Sequence, residues 1–266
     1  MNFINHVYDQ DNLRTSHNHE FMADTAFVEA YQRGVKAAGV DYNWHWRVHV
    51  GLWAARHASK LEGDFVECGV NRGFLSSSIM QMLQWDTTGR TFYLMDTFRG
   101  VDPDFVTEEE LSSGILKKNV HHLESGFYVS SEESVIDNFS EWINKKIIVG
   151  TIPETLDQVK SQSIAFLHLD MNCTPPEVAA AEFFWEKLVP GAPVLLDDYA
   201  YAGYRPQKLG MDGFAASKGI DILSLPTGQG LILKPPLESK RNREEPARLF
   251  DLIPRFLRRL SQRRSG

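Results

Sequence analysis

A chain of 266 residues, 42% of them hydrophobic, is long enough to bury a full core as one main domain with decorations. No apolar run approaches the roughly 20 residues that span a bilayer, and the opening MNFINHVYDQDNLRTSHNHE has neither a basic leader nor an apolar h-region, so a cytoplasmic protein is expected. The net charge of −7 hides an asymmetry: residues 237–266 hold nine Lys/Arg against four Asp/Glu, leaving 19 against 31 elsewhere, and a body this acidic argues against nucleic acid as the principal substrate.

Residues 1–43 read as an N-terminal arm with one short helix from about Thr25 to Ala38, stopped by Gly39. A helix from about Trp44 to Lys60 opens the main domain, 44–236. Gly63-Asp64 then turn into the apolar run FVECGV, SSSIMQMLQW has helical spacing, and TFYLMD reads as a second strand, which together make a βαβ unit. The stretch 97–130 is longer than the usual βα connection of about 2–6 residues and reads as a partly helical lid over a site. Next come a helix over about Ser131 to Ile143, the strand KIIVG, a helix PETLDQVKS, the strand SIAFLHLD, a helix PPEVAAAEFFWEKL and the strand APVLLDD. A helix near Pro206 to Lys218 precedes a closing hairpin of IDILSLP and LILKP. This alternation predicts an α/β fold whose mostly parallel sheet ends in an antiparallel hairpin. Cys68 and Cys173 are too few for a disulfide framework and read as reduced thiols.

Three aspartates stand at the ends of two strands expected to be neighbours: Asp170 closes SIAFLHLD, and Asp197-Asp198 close APVLLDD. Adjacent strands lie about 4.8 Å apart, so these carboxylates can converge on one hard cation such as Mg2+ or another divalent ion. Helix capping would also account for strand-end aspartates, but two adjacent carboxylates facing a third repel unless a cation neutralises them. Where the first strand ends, Glu67-Cys68-Gly69-Val70-Asn71-Arg72-Gly73 turns into a helix opening with Ser76, Ser77 and Ser78. Glycines there let backbone approach a nucleotide closely. Asn71 stands where a dinucleotide fingerprint would carry its middle glycine, so the ligand is expected to lack a pyrophosphate. Asp96 ends the second strand 29 residues after Glu67, where an acidic residue typically holds both ribose hydroxyls of an adenosine. The candidate cofactor residues are therefore Glu67, Gly69, Asn71, Gly73, Ser76 and Asp96.

Taken together, these motifs resemble the macrocin O-methyltransferases (the TylF/MycF type), S-adenosylmethionine- and Mg2+-dependent enzymes that act on sugar hydroxyls in natural products. The resemblance is carried by GDFVECGVNRG, LMDTFRG, IVGTIPETL, LHLD, LLDDY and MDGF, over roughly Trp44 to Pro235. It implies a class I methyltransferase (Rossmann-like) fold and an S-adenosylmethionine site lined by Glu67, Gly69 and Gly73, with Asp96 on the ribose. It further implies Asp170, Asp197 and Asp198 as metal ligands, Asp170 as the general base, a small-molecule acceptor with vicinal hydroxyls on a sugar, and a homo-oligomer. One departure stands out. Where the family shows a glycine, a second acid and a later tyrosine after the first metal aspartate, this chain reads Met171-Asn172-Cys173-Thr174-Pro175-Pro176, so the loop bordering the acceptor is altered.

Methyl transfer needs a nucleophilic oxygen aligned with the methyl and its sulfur, and a cation that takes two neighbouring hydroxyls both orients them and acidifies one. His168 shares a strand face with Asp170 but lies within the strand and reads as a satisfied core histidine. His121-His122 in the lid receive no role. Trp44, Trp46, Tyr199, Tyr201 and Tyr204 flank the expected mouth, either as stacking surfaces for an acceptor or as packing. A catechol or phenolic acceptor is the alternative chemistry, and a non-catalytic S-adenosylmethionine-binding scaffold the alternative class. In the tail, Leu249, Leu252, Ile253, Phe256 and Leu260 recur at helical spacing among arginines, a basic amphipathic stretch suited to a weak membrane-surface or partner contact or to docking on the acidic body.

Overall fold

In the computed structural model, which describes residues 7–236, the chain begins with a hairpin: β1 (Tyr8–Gln10) pairs antiparallel with β2 (Leu13–Thr15). Helix α1 (Thr25–Ala38) has the limits its sequence predicts, because Asp24 accepts the Phe27 N–H at 3.0 Å as an N-cap and the chain turns left-handed at Gly39. Helix α2 (His45–Ala58) follows. Both pack on one face of the central sheet, and Phe27, Ala30 and Tyr31 of α1 are buried in the same core as Phe65 and Phe166. The region read as an arm is thus part of the compact unit that runs to Lys234.

Strand β3 (Asp64–Cys68) leads into α3 (Phe74–Met82), and β4 (Phe92–Asp96) into the segment read as a lid, where α4 (Glu108–Ser113) and α5 (Ile115–Glu124) are separated by Gly114. The rest comprises α6 (Glu133–Asn138), β5 (Lys145–Val149), β6 (Ile164–Leu169), α7 (Thr174–Trp185), β7 (Pro193–Leu196), α8 (Arg205–Lys218), β8 (Leu223–Ser224) and β9 (Gly230–Leu233). The sheet runs β5-β4-β3-β6-β7-β9-β8, with β9 antiparallel to both of its neighbours and the other pairs parallel. This is the predicted mostly parallel sheet with an antiparallel terminal hairpin.

Two of the expected helices are shorter than their sequence patterns. PETLDQVKS makes only one turn of 3-10 helix, Leu156–Gln158, because that turn suffices to bury Leu156 and Val159 against the sheet. The helix expected over Ser131 to Ile143 shrinks to α6, whose end is fixed by the fully buried Phe139.

Side chains alternate across the sheet, giving two apolar layers. Phe65, Phe92, Leu94 and Phe166 face α1–α3, whereas Val66, Cys68, Met95, Leu167 and Leu169 face the layer containing Ala180 and Phe184 of α7. Burying each large side chain contributes about 1.5–3 kcal/mol, and Phe166→Ala at the centre would cost about 3–5 kcal/mol. No helix among the described residues is long and apolar enough to cross a membrane. The basic stretch at 237–266 lies outside the described residues.

Candidate active site

Register and pleat decide which strand-end residues meet. Glu67 on β3 pairs with His168 on β6, and His168 pairs with Leu195 on β7, so these three share a face. Two residues further on, Asp170 and Asp197 continue that face beyond the strand ends, while Asp198 has the opposite parity. Backbone bonds fix their height: Asp170 N–H donates to Cys68 O at 2.8 Å and Asp197 N–H to Leu169 O at 2.9 Å. All three aspartates line a cavity of about 550 Å3 beyond the carboxyl ends of β6 and β7. Ligand atoms of His168, Asp170 and Asp197 lie within 4.8 Å of one another, so the tightest potential donor set includes a histidine that was read as core.

The cation that the sequence logic demanded is already present in part, as Arg47. This residue of α2 donates from Nη1 to Asp197 Oδ2, and from Nε at 3.2 Å to Asp11 at the tip of the β1–β2 hairpin. Asp197 is further held by Gln229 Nε2 at 3.0 Å, itself braced by Thr227 at 2.9 Å. Burial alone would raise the Asp197 pKa, but Arg47 and His168 more than offset it and hold the carboxylate ionised. Asp170 moves the other way, well above the usual carboxylate range, because it is buried beside the charges of Asp197 and Asp198. Asp198 is pushed up to about 7 by burial and by Asp197, and no protein hydrogen bond satisfies its carboxylate among the described residues.

His168 is buried as expected but is not satisfied. Its Nδ1 lies 2.9 Å from Glu67 Oε1, while Nε2 stands 3.7 Å from Asp197 Oδ1, too long for a hydrogen bond. Burial disfavours the imidazolium, yet Asp197 and Glu67 outweigh it and raise the pKa to about 10. Glu67 lines the cavity but spends one oxygen on His168, and its other oxygen has no partner.

At the cofactor end, Gly69 shows why a side chain is excluded: its φ is +91°, and a Cβ would lie 1.9 Å from the Asp170 carbonyl oxygen. Asp96 lines the cavity and accepts backbone N–H groups from Val70 and Asn71 on Oδ2 and from Phe98 on Oδ1, each at 2.7 Å. Burial raises its pKa against those bonds. It thus shapes the glycine turn while lining the cavity. Asn71 lines the cavity and clips the lid, donating to Phe127 O and accepting from Val129 N–H, both at 3.0 Å. Gly73 and Ser76 are not among the lining residues: Gly73 packs under Phe139, and Ser76 is fully buried with its hydroxyl unpartnered.

The opposite wall is aromatic. Trp44, Tyr201 and Tyr204 line the cavity, joined by Tyr42, Phe127, Tyr128 and Lys118 from outside the expected set. Trp46 instead packs edge-on against Phe21 and Tyr8, and Tyr199 is buried with its hydroxyl donating to Asp212 at 2.6 Å. His122 also lines the cavity, its ring tilted against that of Phe127. Cys68 and Cys173 are free and buried, and burial raises the Cys173 thiol to about 12, which leaves it inert.

Sequence reasoning missed Arg47, Asp11, Gln229 and Glu110. A signal existed for Arg47: it lies four residues before Gly51 and seven before Ala54 on the buried face of α2, where a charge requires a partner.

A protein-family model described as macrocin-O-methyltransferase (TylF) matches residues 53–222. Among solved structures, the O-methyltransferase NovP superposes with a TM-score of 0.62 at 20% identity, over 81% of this chain and 98% of its own. CalS11, a calicheamicin methyltransferase, does so with a TM-score of 0.52 at 14% identity, over 82% and 94% of the two chains. An apo structure of CalS11, described as a TDP-rhamnose 3'-O-methyltransferase, gives 0.50 at 14% identity, over 82% and 96%. No curated protein sequence matches the chain. At these identities the likeness is one of architecture, and the fold is that of the class I methyltransferases.

Proposed function

The chain belongs to the macrocin-O-methyltransferase (TylF) family and is an S-adenosylmethionine-dependent O-methyltransferase; we propose that its acceptor is a hydroxyl of a sugar-containing small molecule and that a divalent cation at Asp170, Asp197 and Asp198 assists. The observation that carries this reading is that ligand atoms of Asp170, Asp197 and His168 lie within 4.8 Å of one another at a cavity that Asp198 also lines, buried and with no hydrogen-bond partner among the described residues. Buried carboxylates with raised pKa values are the condition that a hard dication relieves, so the donor set fits such an ion.

S-adenosylmethionine supplies the methyl group as a sulfonium. When bound, a divalent cation adds charge that orients two acceptor hydroxyls and acidifies one of them. The protein's own residues do the rest. The turn at Gly69 brings backbone against the cofactor, and Asp96 faces its ribose. Glu67 orients His168, whose charge lies beside Asp197 and helps to keep it ionised. Asp170 takes the hydroxyl proton as the oxygen takes the methyl, a role it fills only when positive charge offsets its neighbours and keeps it ionised. Trp44, Tyr201 and Tyr204 offer faces on which a sugar ring can stack while its hydroxyls reach the carboxylates. CalS11, of the same fold, is described as acting on a nucleotide-linked sugar, which agrees with this acceptor class.

Calorimetric titration of S-adenosylhomocysteine with and without a chelator, followed by turnover on sugar and catechol acceptors, tests the reading. Sugar turnover that stops with chelator supports it. Turnover that is indifferent to chelator overturns the cation's part, and turnover confined to catechol overturns the sugar's.

A further inference from the structure

The guanidinium of Arg47 is shared between two carboxylates with different surroundings. Asp197 lines the cavity, whereas Asp11 is not among the lining residues and sits at the tip of the β1–β2 hairpin. That tip is built to present its side chains: Asp11 and Asn12 adopt left-handed conformations, with φ of 50° and 58°, a conformation that aspartate and asparagine tolerate best after glycine. Asp11 accepts from Arg47 on Oδ2 and from the Tyr201 hydroxyl on Oδ1 at 3.4 Å, while Asn12 Nδ2 donates to the Tyr201 oxygen at 2.9 Å. The guanidinium also lies 4.8 Å from the Tyr201 ring centre. Side chains of Asp11 and Arg47 are only 8% and 10% exposed. Asp11 is thus a buried acid whose partners are the cation of the site and one wall of the cavity.

We propose that Arg47 is a tethered counter-ion, displaced from Asp197 when a divalent cation binds and then retained by Asp11, so that cation binding and docking of the N-terminal hairpin are linked. This rests on the cation reading above. Both Asp197 oxygens already accept, Oδ2 from Arg47 and Oδ1 from Gln229, so a dication that joins this carboxylate competes with Arg47 for its charge and repels the guanidinium beside it. Arg47 cannot lose its proton, so it has to keep a carboxylate partner, and the planar fork that spans two acids can close on one. Asp11 is the partner in reach. By linkage, whatever tightens the hairpin onto Arg47 must favour the cation by the same factor.

The test is titration of Mn2+ alone into the full chain by calorimetry, with hydrogen exchange of residues 8–15 followed in parallel. Arg47→Gln is expected to bind the ion at least about tenfold more tightly than wild type, and Asp11→Asn about five- to tenfold more weakly. Asp9→Asn, which removes the same charge from an exposed position of the same hairpin paired with Arg14, is expected to match wild type. Ion binding is expected to slow exchange over 8–15 in wild type and not in Arg47→Gln. If Arg47→Gln does not fold, Arg47→Lys replaces it, since an ammonium keeps the charge but loses the fork, and the ion should then leave exchange over 8–15 unchanged. Affinity unchanged or weakened in Arg47→Gln, equal weakening by Asp9→Asn and Asp11→Asn, or exchange indifferent to the ion in wild type would each overturn the proposal. Failure of every variant to bind Mn2+ while S-adenosylhomocysteine still binds overturns the cation reading itself, an outcome distinct from ion binding that ignores Arg47.

Discussion

Glu110 of the lid and Thr174 at the start of α7 are locked together: one carboxylate oxygen accepts both the backbone N–H and the hydroxyl of Thr174, at 2.7 and 2.6 Å. The other oxygen accepts the N–H and hydroxyl of Thr107, closing a capping box on α4. Glu110 is 1% exposed. The segment 107–110 is therefore tied to Thr174, within the stretch Met171 to Pro176. Glu110→Ala leaves the Thr174 N–H unpaired and should cost about 2–3 kcal/mol. Hydrogen exchange should rise across residues 107–124 with the central strands unaffected, and a uniform rise would contradict this anchoring.

Asp170→Asn keeps the shape of the site but removes the proposed proton acceptor. Turnover should fall by about 10²–10⁴, with S-adenosylhomocysteine affinity within about threefold of wild type. Retained turnover would assign the base elsewhere, most directly to His168.

The raised pKa of Asp198 gives stability a definite pH dependence when no cation is present. With about 7 in the folded protein against 3.8 for the free group, its effect is nil below about pH 4, destabilises progressively as pH rises to 7, and is constant above. Three units at about 1.36 kcal/mol each set a ceiling of about 4 kcal/mol. Asp198→Asn should therefore be more stable than wild type at pH 8 in chelator, with the gap closing by pH 4. Added Mg2+ should stabilise wild type more than the variant. Urea unfolding at the two pH values checks both statements.

Gly69→Ala tests the crossing of β3 past Asp170. The added carbon meets backbone rather than a side chain that can turn away, and the φ of +91° is strained for alanine. A loss of at least about 3 kcal/mol is expected, together with lost binding of S-adenosylhomocysteine by calorimetry. Wild-type affinity in this variant would mean that the turn does not shape the cofactor site.

Much of this was legible because strand ends are local. Asp170 and Asp197-Asp198 follow apolar runs, and parallel pairing brings such ends together whatever the helices do. The limits of α1 were legible for the same reason, since Asp24 and Gly39 act within one turn of it. Arg47 was not, because its partners lie 36 and 150 residues away and meet it only through the tertiary fold. The expected neutralising cation is supplied to Asp197 by Arg47, a residue the strand-end argument did not include. Ser76 illustrates the opposite error: a polar residue in a glycine turn suggests a ligand, yet helix phase turns it into the core.

Asp197 is supported from near both ends of the described residues. Asp11 acts on it through Arg47, and Gln229, reached as the chain enters its last strand, touches it directly. Ala200 N–H donates to Gly228 O at 2.8 Å, and Gly228 has room for the Tyr201 ring only because it lacks a side chain, since a Cβ there would lie 2.5 Å from that ring. During synthesis the sheet from β3 to β7 can assemble while the ribosome is still adding residues, but the carboxylate at its edge receives its final bracing only when residue 229 has emerged. A fragment that stops short of β9 lacks the Gln229 bond to Asp197 and is expected to be folded in part and inert.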